Sequence, residues 1–440
     1  MSNVNKNPAD RNKKAMTDQQ VTRRGFIGGV GAGAVAIGLK GLSPVVYAAS
    51  GRPNQVKTLV VIYLRGGQDA LNTIIPYTDP LYAQVRPGIN IPAADTEEMK
   101  GVIKLDEQFG LHPAAASLKP LYDKKMFAPV VCMGSPHPTR SHFSAQDFME
   151  YAAPGNSTIK DGWLNRYLAN SKPLGENEGL RGLAMQKLLP RSLRGKYPVL
   201  AVPTRNRREV EGALDMFDEL YKPTPAMEGA EGMGKREEVD GSVQVGRDTI
   251  ETLRRLYVIM DGTDDSSRVN YGTGGLGRGL RNIARIIKSG SGLEVACVDL
   301  GGWDTHANQG ASDGGFAGRL KGVSDALAGF ATDLGKQMEH VTCLVMTEFG
   351  RTVRENGNGG TDHGHGSCLF AVGGQVNGGK VYGEWPGLDD TMLYQGRDLQ
   401  ATTDFRVIMD EALKNCMGFT PPKNFFPEYE APRRSLKLFA

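Results

Sequence analysis

The sequence predicts an α/β fold: a doubly wound, mostly parallel sheet flanked by helices, with a polar insertion or cap over residues 181–275. Three observations predict it. Five apolar runs of strand length are spread along the chain, helical patterns lie between them, and short polar motifs follow four of the runs.

Residues 1–48 are set aside first, because they read as a targeting leader. A polar, basic start leads into Thr22-Arg23-Arg24-Gly25-Phe26-Ile27, a twin-arginine signature. A glycine- and alanine-rich stretch from Ile27 to Leu42 follows, and Val46-Tyr47-Ala48 supplies small residues for cleavage after Ala48. The stretch is shorter than the ~20 residues a bilayer span needs, so an exported, cleaved leader is preferred to a membrane anchor. The expected location is the periplasm or otherwise outside the cytoplasm, the expected partner is the twin-arginine export machinery, and no stable anchor is expected after cleavage. The formal charge of the whole chain is +3. Beyond Ala48 there remain 45 Lys+Arg against 47 Asp+Glu, net −2, so the basic excess belongs to the leader and no nucleic-acid partner is indicated.

Residues 49–440 read as one domain. Lys57–Leu64 is an uninterrupted apolar run ending at Arg65-Gly66-Gly67, the pattern of a strand buried on both faces. Phe127–Met133, Leu293–Leu300, Val341–Met346 and Ser367–Val372 are the other four runs. Helical patterns span Pro113–Asp123, Ser144–Tyr151, Leu276–Lys288 and Phe316–Met338, with Ser141 and Ser144 as candidate caps of the second. Residues 181–275 break the alternation: they are charged and dotted with glycine, with helices expected near Val210–Tyr221 and Val245–Met260 and a flexible loop over Gly229–Gly241. Cys132, Cys297, Cys343, Cys368 and Cys416 show no CxxC spacing, which argues against a cysteine-held zinc, iron–sulfur or haem group.

The chemistry concentrates at strand ends. Asp69 follows the first run, Pro136–His142 the second, Asp304 and His306 the third, and Glu348 and Arg351 the fourth. Asp362, His363 and His365 lie in the glycine-rich loop before the fifth. Strand carboxyl ends share one edge of a parallel sheet, so residues 300 positions apart can meet there. Imidazole and carboxylate are the usual ligands of Zn²⁺ and similar ions, and two of the chain's seven histidines fall in Thr361-Asp362-His363-Gly364-His365-Gly366. Each motif has a plainer alternative: Asp304–His306 as a turn, Asp362–His365 as a solvated loop, Glu348 as the ion-pair partner of Arg351, Asp69 as a turn residue, and Ser141 as a helix cap. His137 and His142 read as structural histidines near a cap. No GxGxxG or Walker pattern opens a helix, so nucleotide binding is poorly supported.

Long motifs also carry a resemblance. Val60–Pro76 (VVIYLRGGQDALNTIIP), Arg140–Glu150 (RSHFSAQDFME), Asp299–His306 (DLGGWDTH), Thr347–Thr352 (TEFGRT) and Thr361–Gly374 (TDHGHGSCLFAVGG) resemble the exported bacterial family called domain of unknown function 1501. That family is similar in fold to the alkaline phosphatase and sulfatase superfamily, whose members hold one or two divalent metals at the carboxyl edge of a doubly wound sheet. The resemblance implies Asp69 at the first-strand metal position, Thr139 or Ser141 as nucleophile, and Asp304 and His306 as a metal pair. It implies Glu348 where the superfamily has Asp followed by His, and His363 or His365 as the last metal histidine. Phe349 follows Glu348, so one ligand is missing unless Asp362 or His363 replaces it.

The leading expectation is a metal-dependent hydrolase of small-molecule or polymer phosphate or sulfate esters. It would use a divalent Zn, Mn or Ca ion, with Arg140 or Arg351 neutralising developing negative charge. The rival expectation is a non-catalytic exported binding or assembly protein on a degenerate version of the same fold.

Overall fold

In the computed structural model, the described residues are 56–174, 180–203, 211–212, 214–215, 249–262, 268–430 and 435–440. The leader, the Gly229–Gly241 loop and most of the Val210–Tyr221 helix lie outside them. Among the described residues, no helix is long and apolar enough to cross a membrane.

The first apolar run forms β1, Thr58–Leu64, which is buried along its whole length. Alternate side chains of β1 feed two separate cores. Val60, Ile62 and Leu64 face one, with residues of the Gly275–Lys288 and Gly315–Leu334 helices. Leu59, Val61 and Tyr63 face the other, with residues of the Trp163–Asn170 and Phe405–Glu411 helices. A strand covered on both faces must be apolar throughout, and this is why the sequence run shows no alternation.

Two short strands, β2 (Ile74–Ile75) and β3 (Ile103–Lys104), join β4 (Gly110–Leu111) in a small antiparallel sheet, order β2-β4-β3. The large sheet collects β1, β5 (Phe127–Gly134), β6 (Gly182–Ala184), β7 (Leu200–Ala201), β8 (Val295–Leu300), β9 (Val341–Met346), β10 (Ser367–Gly373) and β11 (Thr403–Asp404). Their order is β11-β5-β10-β9-β1-β8-β6-β7. β1 pairs in parallel with β8 on one side and β9 on the other, Ile62 facing Val298 and Val345. β10 alone is reversed, pairing antiparallel with both β9 and β5.

That reversal positions the glycine-rich loop. β9 ends at the carboxyl edge, and an antiparallel β10 begins at that same edge, so the loop of residues 347–366 leaves from it and returns to it. A parallel fifth strand would have put His363 at the opposite end of the sheet.

The expected insertion differs in part from the observed arrangement. Residues 182–184 and 200–201 extend the main sheet through β6 and β7, parallel to β8. Residues 249–260 are helical, and Ile250, Leu253, Leu256 and Tyr257 pack into the core beside β1. Strands of two or three residues carry too little pattern to be seen among charged and glycine-rich neighbours.

Candidate metal centre

Four segments deliver side chains to one point at the carboxyl edge, and the loop after β1 makes room for them. Gly66 follows β1, and its φ of +126° is a conformation suited to glycine. A Cβ there would stand 2.5 Å from the Asp304 amide nitrogen, so the absence of a side chain lets the β1 and β8 loops touch. The β8 loop carries Asp304 and His306, the β9 loop Glu348 and Arg351, and the segment before β10 Asp362 and His363. The His142–Tyr151 helix, which follows β5, begins with His142.

Asp304 is the hub. Its Oδ1 lies 2.9 Å from His306 Nε2 and 3.0 Å from His363 Nε2, and those two nitrogens are 3.1 Å apart. Its Oδ2 lies 3.3 Å from His142 Nε2. The donor atoms of His142, Asp304 and His363 all lie within 4.8 Å of one another.

The far side of each imidazole is held by an acceptor. His142 Nδ1 meets Glu348 Oε1 at 2.8 Å, His306 Nδ1 meets Asp362 Oδ1 at 2.9 Å, and His363 Nδ1 meets the Arg140 carbonyl oxygen at 2.9 Å. A carbonyl oxygen or carboxylate can only accept, so each Nδ1 carries the hydrogen. In the neutral rings the three Nε2 atoms are then bare lone pairs aimed at a carboxylate. His142 Nε2 is buried with no hydrogen-bond partner. One proton can relieve one of these contacts; a cation seated among the donors relieves all of them. An imidazole whose outer N–H is fixed by a carboxylate or carbonyl is the usual form of a metal-binding histidine. His142, Asp304 and His363 could therefore hold a divalent ion together, and Asp304 Oδ1, His306 Nε2 and His363 Nε2 have the spacing of about 3 Å that bonds of about 2.1 Å give adjacent octahedral donors.

Charge supports the same fit. Asp304, Glu348 and Asp362 all titrate below the usual carboxylate range, against the opposing effect of burial. Arg351 and the histidines hold Asp304 down, hydrogen bonds from His142, Gln146 and Gly66 hold Glu348 down, and the His306 contact holds Asp362 down. Burial lowers the His363 pKa, whereas the Glu348 hydrogen bond raises that of His142. Three carboxylates against the single guanidinium of Arg351 leave the neutral-imidazole site two charges short.

The family model described as "Protein of unknown function (DUF1501)" matches residues 56–414. The chain belongs to this family. No curated protein matches it.

The remaining expected residues of this DUF1501 chain are placed as follows. Asp69 is outside the cluster: Oδ2 is 2.5 Å from Arg86 Nη1 and accepts the Gln309 amide at 2.7 Å, while Oδ1 accepts the Leu71 and Asn72 amides. Its oxygens are committed to those partners, and the network ends on Thr361 and Arg351 behind the site through Gln309. His365 is also outside the cluster; its ring stacks on Tyr394 at 4.1 Å, and burial pushes its pKa down to about 4. Glu348 and Asp362 reach the imidazoles and stand behind them. Arg351 is fully buried, donating to Asp304 Oδ1 at 2.6 Å and to the carbonyls of Gly66 and Thr361. Arg140 turns to Asp398 at 2.6 Å and Gln395 at 2.9 Å. Ser141 occupies the N-cap position, but its side chain makes no cap bond and is exposed. Thr139 Oγ1 accepts the Ser141 amide at 3.2 Å.

The residue that sequence reading passed over is His142. Its sequence context reads as a structural histidine near a cap, yet it sits 4.3 Å, ring to ring, from His363. The available signal was its place after an apolar strand run, the same context as Asp304 and Glu348.

Proposed function

We propose that this is an exported, metal-dependent hydrolase of phosphate or sulfate esters, related in fold to the alkaline phosphatases and sulfatases. The observation that carries the reading is the convergence of His142, His306 and His363 on Asp304, each imidazole fixed through its outer nitrogen. Asp304 and the three Nε2 atoms would hold the ion. When bound, a divalent metal polarises an ester oxygen and lowers the pKa of an oxygen nucleophile.

The chain's own residues do the rest. Ser141 is the nucleophile of the proposal: it immediately precedes a ten-residue helix, is exposed, spends no hydroxyl bond on capping, and lies in the chain between the carbonyl that fixes His363 and the imidazole of His142. Arg351 keeps Asp304 ionised and oriented. Without a cation, the surplus negative charge around Asp304 would repel an anionic ester, so substrate binding depends on the ion.

The test is hydrolysis of an aryl phosphate and an aryl sulfate by the purified mature chain, after chelation and after Zn²⁺ or Mn²⁺ is restored. Turnover that returns with metal and falls at least ~100-fold in Ser141→Ala is expected. Turnover unaffected by chelation and by His306→Ala would overturn the reading.

One observation favours the second reading, a non-catalytic binding or assembly protein. Both arginines expected to meet substrate charge are paired to carboxylates, Arg351 to Asp304 and Arg140 to Asp398. Tight metal binding with no turnover of either ester would support it.

A further inference from the structure

The imidazoles, carboxylates and guanidinia at the carboxyl edge also bear on how many ions the centre takes, a question that rests on the metal reading above. We propose that the centre holds one divalent cation, with the buried guanidinium of Arg351 serving as a fixed second positive charge, and that Glu348 and Asp362 are positioning residues that orient imidazoles and do not bind the ion.

Three observations lead there. First, the inner donors share one focus: His142, His306 and His363 all aim Nε2 at the carboxylate of Asp304. A second ion would need its own donors; Asp69 and Glu348 are largely committed, and Asp362 spends Oδ1 on His306 and Asn356. Asp69 is saturated by Arg86, Gln309 and two backbone amides. Glu348 Oε1 accepts the Gly66 amide at 2.8 Å and the Gln146 amide at 2.9 Å besides His142, and Oε2 lies 3.0 Å from the Thr347 hydroxyl, whose one hydrogen is shared with the Leu64 carbonyl at 2.7 Å.

Second, the places beside these carboxylates already hold cations. Arg351 lies 2.6 Å from the same Asp304 oxygen that faces His306 and His363, and Arg86 lies 2.5 Å from Asp69. Both guanidinia are buried and anchored by backbone carbonyls, Arg86 to Thr352 and Val353 and Arg351 to Gly66 and Thr361. Neither can swing away without leaving several buried donors unsatisfied. A guanidinium is planar, permanently charged and suited to a bidentate or bridging contact with a carboxylate.

Third, the charges close with one ion. Asp304, Glu348 and Asp362 against Arg351 leave two negative charges, while Asp69 is paired with Arg86 and Asp398 is shared by Arg140 and Arg397. A second divalent ion would place two uncompensated positive charges beside a buried arginine.

The test uses the full mature chain, stripped by chelation and then titrated with Mn²⁺ or Co²⁺ alone. Calorimetry and elemental analysis are expected to give one ion per chain; two ions, or none, would overturn the proposal. Asp362 separates positioning from ligation, because it is exposed and its replacement leaves the core intact. Asp362→Asn keeps an acceptor for His306 Nδ1. It is expected to keep one Co²⁺ per chain with an unchanged visible absorption spectrum. Asp362→Ala is expected to weaken Co²⁺ binding by ~10–100-fold, again with the spectrum preserved at saturation. A spectrum altered in Asp362→Asn as strongly as in His306→Ala would make Asp362 a ligand and sink the assignment. These readouts do not involve turnover, so an inactive chain that binds one ion upholds this inference while counting against the hydrolase reading.

Discussion

His112 and the site histidines occupy the same molecule and are oriented in opposite senses. His112 is completely buried; its Nε2 donates to the Ala311 carbonyl at 2.9 Å, and its Nδ1 accepts the Ala114 amide at 3.0 Å, capping the short Pro113–Leu118 helix. Both nitrogens are spent on backbone, and Phe316 packs against the ring edge. In His306 only Nδ1 is spent, on Asp362, and Nε2 faces Asp304 and His363. A histidine with two complementary partners is a structural brace. A histidine with one partner and a lone pair aimed at other lone pairs has the geometry of a metal ligand. Burial alone gives the wrong ranking, since His112 is the buried one and the His306 side chain is 45% exposed.

The sharpest break in this comparison is at the hub. Asp304→Ala removes the carboxylate common to all three imidazoles. It is expected to cost more metal affinity than the ~10–100-fold lost with an outer partner, leaving the purified chain with little bound ion. Elemental analysis checks it; a variant that retains wild-type metal content would show that the histidines do not converge on a cation.

Exchanging the two kinds of histidine should exchange the phenotype. His112→Ala leaves a cavity and an uncapped helix start, with an expected loss of about 2–4 kcal/mol in urea unfolding and unchanged Mn²⁺ affinity. His306→Ala in the metal-free chain is expected to move stability by no more than ~0.5 kcal/mol, as for an exposed side chain, while metal affinity falls sharply. If both variants lost stability and affinity together, the distinction between brace and ligand would be wrong.

Gly66→Ala joins the two regions. The added Cβ would meet the Asp304 backbone, and the φ of +126° is strained for alanine. A loss of roughly 1–3 kcal/mol is expected, together with weaker metal binding, because the relief available to the β1 loop is to push the Asp304 loop away.

How much of this was legible in the sequence follows from the length of each pattern. The Val341–Met346 run coincides with β9, and the Lys57–Leu64 run with β1 less its first residue. Both strands are covered on two faces and so are apolar but for one buried threonine each, Thr58 and Thr342. The reversal of β10 left no trace, since a strand's direction is set by its partners and not by its composition. The candidate site was legible as a set of residue types at strand ends. Their division into ligands and holders was not: whether Asp362 faces an ion or an imidazole Nδ1 is a matter of a few ångströms, and Asp and His are the expected residues either way. Asp69 shows the same limit. Its position after β1 matches a ligand, but Arg86, 17 residues later in a segment with no strand signal, folds back to take it.

The smallest expected effect concerns acid. Burial lowers the His112 pKa, outweighing the opposing pull of the Ala311 hydrogen bond and of Asp69. Protonation would put a hydrogen on Nδ1 and turn the Ala114 amide from a donor with an acceptor into one facing another donor. The unfolded chain, with an ordinary histidine near 6.5, binds that proton more readily than the folded one. The stabilising contribution is therefore fully present above about pH 6.5 and is lost as the pH falls through the interval down to the folded-state pKa, with a slope of at most about 1.4 kcal/mol per pH unit. Acid acts on the whole chain, so the measurement is a difference: urea midpoints at pH 7.5 and 5.5 for the wild type and for His112→Gln, in metal-free buffer. The amide of glutamine can both donate and accept but does not titrate, so the variant is expected to lose less stability on acidification than the wild type. An equal loss in both chains would mean that His112 tolerates the proton, and that its two backbone hydrogen bonds do not fix the ring in its neutral form.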